Sequence, residues 1–375
     1  MRALSIVALL AIVGAFATVA SLVSVKPLSL ALIRLPKPAG VWPIGRTTIA
    51  LGGGPTDIWY PIARTTRGRF ARYGTIGSRS IKQRVAGRLI VTSAILDAPP
   101  AEGCFPTTVF LPGWNGTRES NTMQIQNLAS NGFIVAAIDD RHPAAEIDFS
   151  SDAALATSVG RAERKLDAQV GDVVALIDDL ARLDRERSSL HGRLDLSNLG
   201  VVGFSFGGAV AAESARRDPR LRVAVNLDGY MYGGAYRSSV ARPFLYLSTI
   251  DGPPRDTSTL DDQARRTQAF EREQSDRIYA GLRRSGGYYV AIEGSEHSSF
   301  SDAAGMPFWL GGVRAKLDGT AGARLIGTCI VNFLDRSLRR GRTRQDDVPC
   351  ASPIAHVLAA SSYPTQGIHG EIVRK

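Results

Sequence analysis

Leu199 to Gly208 reads Leu-Gly-Val-Val-Gly-Phe-Ser-Phe-Gly-Gly, an apolar run that turns at a Gly-x-Ser-x-Gly pentapeptide into an Ala-rich stretch, with Ser205 at the apex. A strand and a helix joined by so tight a turn leave no room for side chains two residues either side of the serine, and Gly203 and Gly207 meet that need. Such a turn lifts the hydroxyl clear of the sheet. The helix beginning at Gly208 aims its N-terminal amides at a developing negative charge. One segment thus predicts an α/β sheet and a nucleophilic serine; a Gly-rich connection with an incidental serine is the plain alternative.

With 375 residues the chain can bury a large core, which fits one big α/β catalytic domain with extensions. Its 44% hydrophobic and 21% charged content is that of a folded protein, without repeats or long low-complexity stretches. The net charge is +10, and no acid interrupts the stretch between Asp57 and Asp97. Arg64, Arg67, Arg69, Arg72, Arg79, Lys82, Arg84 and Arg88 fall there, and Arg336, Arg339, Arg340, Arg342 and Arg344 form a second run. These runs suit an anionic membrane surface or a solvated basic face. Nucleic acid is not expected, since neither run interleaves aromatics in a binding pattern.

Ala3 to Val25 carries no charge, follows Arg2 and ends in small residues, Ala15, Ala17 and Ala20, where a signal peptidase cuts. At about 20 residues it also suffices to span a bilayer, so a cleaved signal and an N-terminal anchor both stand. Lys26, Arg34 and Lys37 follow it, a charge pattern that argues mildly against translocation. The expected division is a signal peptide or anchor over 1–25, a catalytic domain over 26–344 and a tail over 345–375, with the protein exported or membrane-anchored. Three cysteines cannot all pair within one chain; Cys329 and Cys350 suit a short C-terminal loop, leaving Cys104 free. Their spacing matches no zinc site, and no metal or cofactor is called for.

From Thr107 onward, short strands alternate with amphipathic stretches, the pattern of a mostly parallel sheet of about eight strands with helices on both faces. The strands read at 107–111, 133–138, 199–204, 222–227, 244–249 and 288–293. Helical spacing recurs at Val170, Val173, Val174, Ile177 and Leu180, in the polar stretch 261–284 and over 321–338. Upstream, 47–51, 58–60 and 89–96 add antiparallel strands at one edge.

A serine hydroxyl needs a histidine to take its proton and a carboxylate to hold that imidazole. Of five histidines, His142 and His191 precede Ser205, against the chain order Ser, acid, His of elbow hydrolases, and His356 and His369 lie in the expected tail. His297 follows a strand in a polar loop, where such sheets place their sites. Asp228 and Asp251 each end a strand and compete for the acid role; each is also a good Asp-Gly turn. An oxyanion must be met by donors already in place. The Phe206 amide is one. The loop Pro112-Gly113-Trp114-Asn115-Gly116, after the strand 107–111, offers the Trp114 amide as the other. Asn115-Gly116-Thr117 also fits a glycosylation sequon, but a site loop explains it better.

With these residues in hand, the chain resembles the platelet-activating factor acetylhydrolase-like branch of the α/β-hydrolases, related to dienelactone hydrolase-type esterases. The resemblance rests on Trp59-Tyr60-Pro61, Leu128 to Ala137, Gly203 to Gly208, Leu227-Asp228-Gly229-Tyr230-Met231, and His297 with Phe300-Ser301-Asp302. It implies an α/β-hydrolase fold, Ser205 as nucleophile, His297 as base, amides of Trp114 and Phe206 as oxyanion donors, and Asp228 rather than Asp251 as the acid. No metal is implied. Two residues depart from the family pattern: Pro112-Gly113 where His-Gly is usual, and Phe204 where the residue before the serine is commonly His. The activity this implies is a serine esterase acting on short-acyl or oxidised phospholipid esters. Its alternatives are a broad carboxylesterase or polyesterase and, from another class, a non-catalytic scaffold that binds a lipid or a protein.

Overall fold

The computed structural model describes residues 32–73, 87–249, 260–285, 287–306, 312–313, 316–339 and 349–359. The chain divides into two units, Met1–Ile33 and Arg34–Lys375, and the second carries the sheet, the helices and the site. The apolar segment 3–25, Asp251, His369 and the cations at 79, 82, 84, 340, 342 and 344 lie outside the described residues. Among the described residues no helix is long and apolar enough to cross a membrane.

Eleven strands of three or more described residues form one sheet: β1 (Ile44–Leu51), β2 (Gly54–Pro61), β3 (Phe70–Arg72), β4 (Ile90–Leu96), β5 (Phe105–Leu111), β6 (Ile134–Ile138), β7 (Leu194–Phe204), β8 (Leu221–Leu227), β9 (Phe244–Thr249), β10 (Tyr288–Ile292) and β11 (Ala355–Ala359). Their order is β4-β1-β2-β6-β5-β7-β8-β9-β10-β11, with β3 on β4. The run from β6 through β5 to β10 is parallel, and antiparallel pairs close both ends. The upstream strands sit at one edge as the sequence predicts, although β1 meets β4 in parallel.

The sheet is larger than about eight strands because two short edge strands carry little sequence signal. One of them corrects the expectation of a C-terminal tail over 345–375. Ala355–Ala359 pairs antiparallel with β10, from Ala355 opposite Ile292 to Ala359 opposite Tyr288. Cys329 and Cys350 form a disulfide that ties this segment to the helix before it; Cys104 is free and exposed.

The central strands are buried on both faces, and their period-two alternation feeds two cores. Val109, Ala136 and Val201 point to one, with α2 (Asp152–Arg185), α3 (Phe206–Arg217) and the buried side of α5 (Asp262–Ser285). Phe110, Val135 and Val202 point to the other, with α1 (Thr122–Ser130) and α6 (Gly319–Leu334). A short helix, α4 (Gly233–Ser238), follows β8. On α2 the buried Val170, Val173, Leu176, Ile177 and Leu180 recur at helical spacing, and Ser151 caps its first turn by accepting from the Ala154 amide at 3.1 Å. Each such burial contributes about 1.5–3 kcal/mol. The C-terminal ends of β5, β7, β8 and β9 therefore open on one rim, held from both faces.

Candidate active site

At the end of β7 the backbone of Ser205 takes φ 53° and ψ −124°, a conformation unfavourable for a residue with a side chain. The surroundings enforce it: the Ser205 amide donates to the Leu227 carbonyl at 2.8 Å, while its carbonyl accepts from the Gly208 amide at 2.8 Å. A Cβ on Gly203 would lie 1.9 Å from the Gly207 carbonyl oxygen, and one on Gly207 would lie 2.3 Å from that of Pro112. Strand, elbow helix and the loop after β5 thus touch backbone to backbone, which only glycine allows.

The structure brings the three sequence-predicted side chains together. His297 Nε2 lies 3.0 Å from Ser205 Oγ, and His297 Nδ1 lies 2.7 Å from Asp228 Oδ2. The His297 side chain is 55% exposed and that of Asp228 11%, so the imidazole is reachable while its carboxylate is sheltered. The other Asp228 oxygen, Oδ1, accepts from the Ser248 hydroxyl and the Thr249 amide, each at 3.0 Å. The Asp228 backbone has φ 57°, and Asn226 holds that turn by accepting from the Gly229 amide at 2.8 Å and donating to its carbonyl at 3.0 Å. Asp251, the competing acid, lies outside the described residues. His142 and His191 are engaged elsewhere, with Asp172 and with the Asp184 carbonyl, and His356 faces Glu293.

Trp114 and Phe206 flank Ser205, their rings packed edge to face with centroids 4.4 Å apart. Among the described residues neither backbone amide donates to a protein acceptor. The indole N–H donates to the Ala144 carbonyl at 2.7 Å, and Asn115 Nδ2 reaches the same oxygen at 3.3 Å. Both lock the loop against the segment after β6. The triad opens into a cleft of about 450 Å³, walled by Trp114, Phe149, Phe206, Tyr230, Tyr232 and Tyr246. Glu146 and Glu271 line it too, and among the described residues no lysine or arginine does. Burial and the neighbouring Glu271, which accepts from its hydroxyl at 2.9 Å, push Tyr230 well above the usual phenol range. Among the described residues no three His, Cys, Asp or Glu side chains gather as a metal site.

Sequence reasoning missed Ser248, Thr249 and Asn226, which hold Asp228 in place. Their signal was positional: each stands at the C-terminal end of a strand beside the candidate acid.

This fold and this rim define the α/β-hydrolase fold, which a ferulic acid esterase from Streptomyces cinnamoneus shares at a TM-score of 0.59 and 22% identity, over 88% of this chain and 99% of that one. Within it, the chain is similar to the platelet-activating factor acetylhydrolase-like branch. The model of the platelet-activating factor acetylhydrolase, isoform II, family matches residues 165–348, a span that holds Ser205, Asp228 and His297. A platelet-activating factor acetylhydrolase of Cavia porcellus is 24% identical over 62% of this chain and 58% of its own length. A bis(hydroxyethyl) terephthalate hydrolase of Streptomyces coelicolor is 32% identical over 34% of each chain. The chain thus spans less than two thirds of the length of these curated relatives.

Proposed function

We propose that this chain is a serine carboxylic-ester hydrolase that works through an acyl-enzyme. The observation that carries the reading is the pair of hydrogen bonds at His297, 3.0 Å to Ser205 Oγ and 2.7 Å to Asp228. Ser205 Oγ attacks the ester carbonyl carbon as His297 Nε2 takes its proton, and Asp228 holds the imidazole in the tautomer that can accept it. Amides of Trp114 and Phe206 receive the oxyanion. Collapse breaks the bond to the alcohol, which leaves with the proton from His297. Water, deprotonated in turn by His297, then releases the acid and restores the serine.

The aromatic walls of the cleft, with no lysine or arginine among the described residues that line it, favour small neutral esters, aromatic ones included. The family match supports a second reading, esters of phospholipids with short acyl chains, whose phosphate would sit outside the acid-lined cleft. Export or membrane anchoring is supported by the apolar segment 3–25 and by the Cys329–Cys350 bridge. The exposed Arg64, Arg67, Arg69, Arg72 and Arg88 support contact with an anionic membrane surface.

A fluorophosphonate probe should label the wild type and not Ser205→Ala, and p-nitrophenyl acetate turnover should vanish with the label; equal labelling of both removes Ser205 from the mechanism. A series of p-nitrophenyl esters, a terephthalate ester and a short-acyl phosphatidylcholine, assayed side by side, separates the two substrate readings.

A further inference from the structure

Lys165 lies on the buried face of α2, its side chain only 3% exposed, and forms an ion pair with Asp140, which is 0% exposed. Its ammonium donates to both carboxylate oxygens, at 2.7 and 2.5 Å, and to the His142 carbonyl. The same carboxylate accepts from Gln169 and from the His142 amide. It also grips the loop after β5: Asp140 Oδ2 accepts from the Asn115 amide at 2.6 Å, while the Asp140 amide donates to the Gly116 carbonyl at 3.1 Å. Asn115 is held there at φ 53°. The Lys165 Nζ stands 5.3 Å from the Trp114 ring centroid and 5.4 Å from that of Phe206.

Burying such a pair contributes little net stability, because desolvation offsets the Coulomb attraction, and well-packed apolar residues usually serve as well. What the pair does here is local. It joins α2 and the end of β6 to the loop bearing Trp114, and sets a cation against the rings of both residues proposed above as oxyanion donors.

We propose that Lys165 is a positioning residue for ester hydrolysis: through Asp140 it fixes the Asn115 peptide and thereby the direction of the Trp114 amide toward the oxyanion. This rests on the esterase reading above. Amides aimed at the oxyanion act on the transition state, so loosening them should lower kcat and leave substrate binding alone.

The test measures kcat and KM on p-nitrophenyl acetate for Lys165→Met, Lys165→Arg and the double variant Asp140→Leu with Lys165→Met, whose apolar pair restores packing without charge. The expected result is a kcat loss of about 100-fold in Lys165→Met and in the double variant, with KM within about threefold, and a loss of under about tenfold in Lys165→Arg. A double variant that folds and keeps wild-type kcat overturns the proposal, because the pair is then only structural. So does failure of both methionine variants to fold. Turnover that survives Ser205→Ala in the same assay overturns the esterase reading itself, and this inference with it.

Discussion

The ring of Phe204 lies against the imidazole of His297, centroids 4.9 Å apart and planes inclined by 30°. The residue before the serine thus forms an apolar floor under the ring that must shuttle a proton. His297 sits on a short 3₁₀ turn, His297–Phe300, and its ring is otherwise held by two polar contacts, to Ser205 and to Asp228. Phe204→Ala should let the imidazole tilt and lower kcat by roughly tenfold with KM little changed. Steady-state kinetics on p-nitrophenyl acetate checks this, and an unchanged kcat would show that Asp228 alone orients the ring.

Asp228→Asn should act through the tautomer. The Thr249 amide donates to Oδ1 at 3.0 Å, so the asparagine carbonyl turns to that donor and its NH2 meets His297 Nδ1. Nδ1 then accepts, the proton moves to Nε2, and Nε2 can no longer take the Ser205 proton. The expected loss is about 10⁴-fold in kcat. Ser248→Ala, which removes only one of the donors to Oδ1, should cost far less. The reverse ranking would take the acid role from Asp228.

The elbow was legible because its constraints are local: two glycines, a strand and a helix leave one conformation. β9 begins and ends where its sequence predicts, Phe244 to Thr249, because a short apolar run between turn residues is a strong signal. β11 was not legible, since an edge strand with one partner shows no alternation deep enough to read. Lys165 and Asp140 were hidden for a different reason. A lysine on an amphipathic helix ordinarily marks the wet face, and only the fold brings its partner to it across the end of β6.

The Cys329–Cys350 bridge joins residues 21 apart and anchors the segment that leads into β11. That strand backs β10, and the Glu293 amide beyond β10 donates to the Ile354 carbonyl at 2.8 Å, close to the loop that carries His297. Reduction should cost about 3 kcal/mol, mainly by freeing the unfolded chain. Differential scanning fluorimetry with and without reductant should show a fall of about 4 °C in Tm, and Cys350→Ser should reproduce it. A Tm indifferent to reductant would mean the bridge constrains nothing that the edge pairing does not already hold.

Asp302 links the His297 loop to the start of α1. It is only 1% exposed, and its two oxygens accept from the Thr122 and Met123 amides at 2.7 and 2.8 Å. Beside it, Asn121 Nδ2 donates to the Phe300 carbonyl at 2.7 Å. Burial pushes the Asp302 carboxyl up to about 8 from its ordinary 3.8; the amides at Met123 and Thr122 oppose this, and Glu119 adds to it. Between these two values the folded chain holds a proton that the unfolded chain has lost. This contribution to stability is therefore fully present below about pH 4 and lost as pH rises toward 8. Urea midpoints should accordingly fall from pH 5 to pH 8, other groups held equal. Asp302→Asn removes the titration and turns an NH2 against one of the two amide donors, so it should flatten that slope and cost about 1–3 kcal/mol at pH 5. Parallel pH profiles for the variant and the wild type would show that Asp302 stays ionised in the fold, held by its two amide donors against the desolvation.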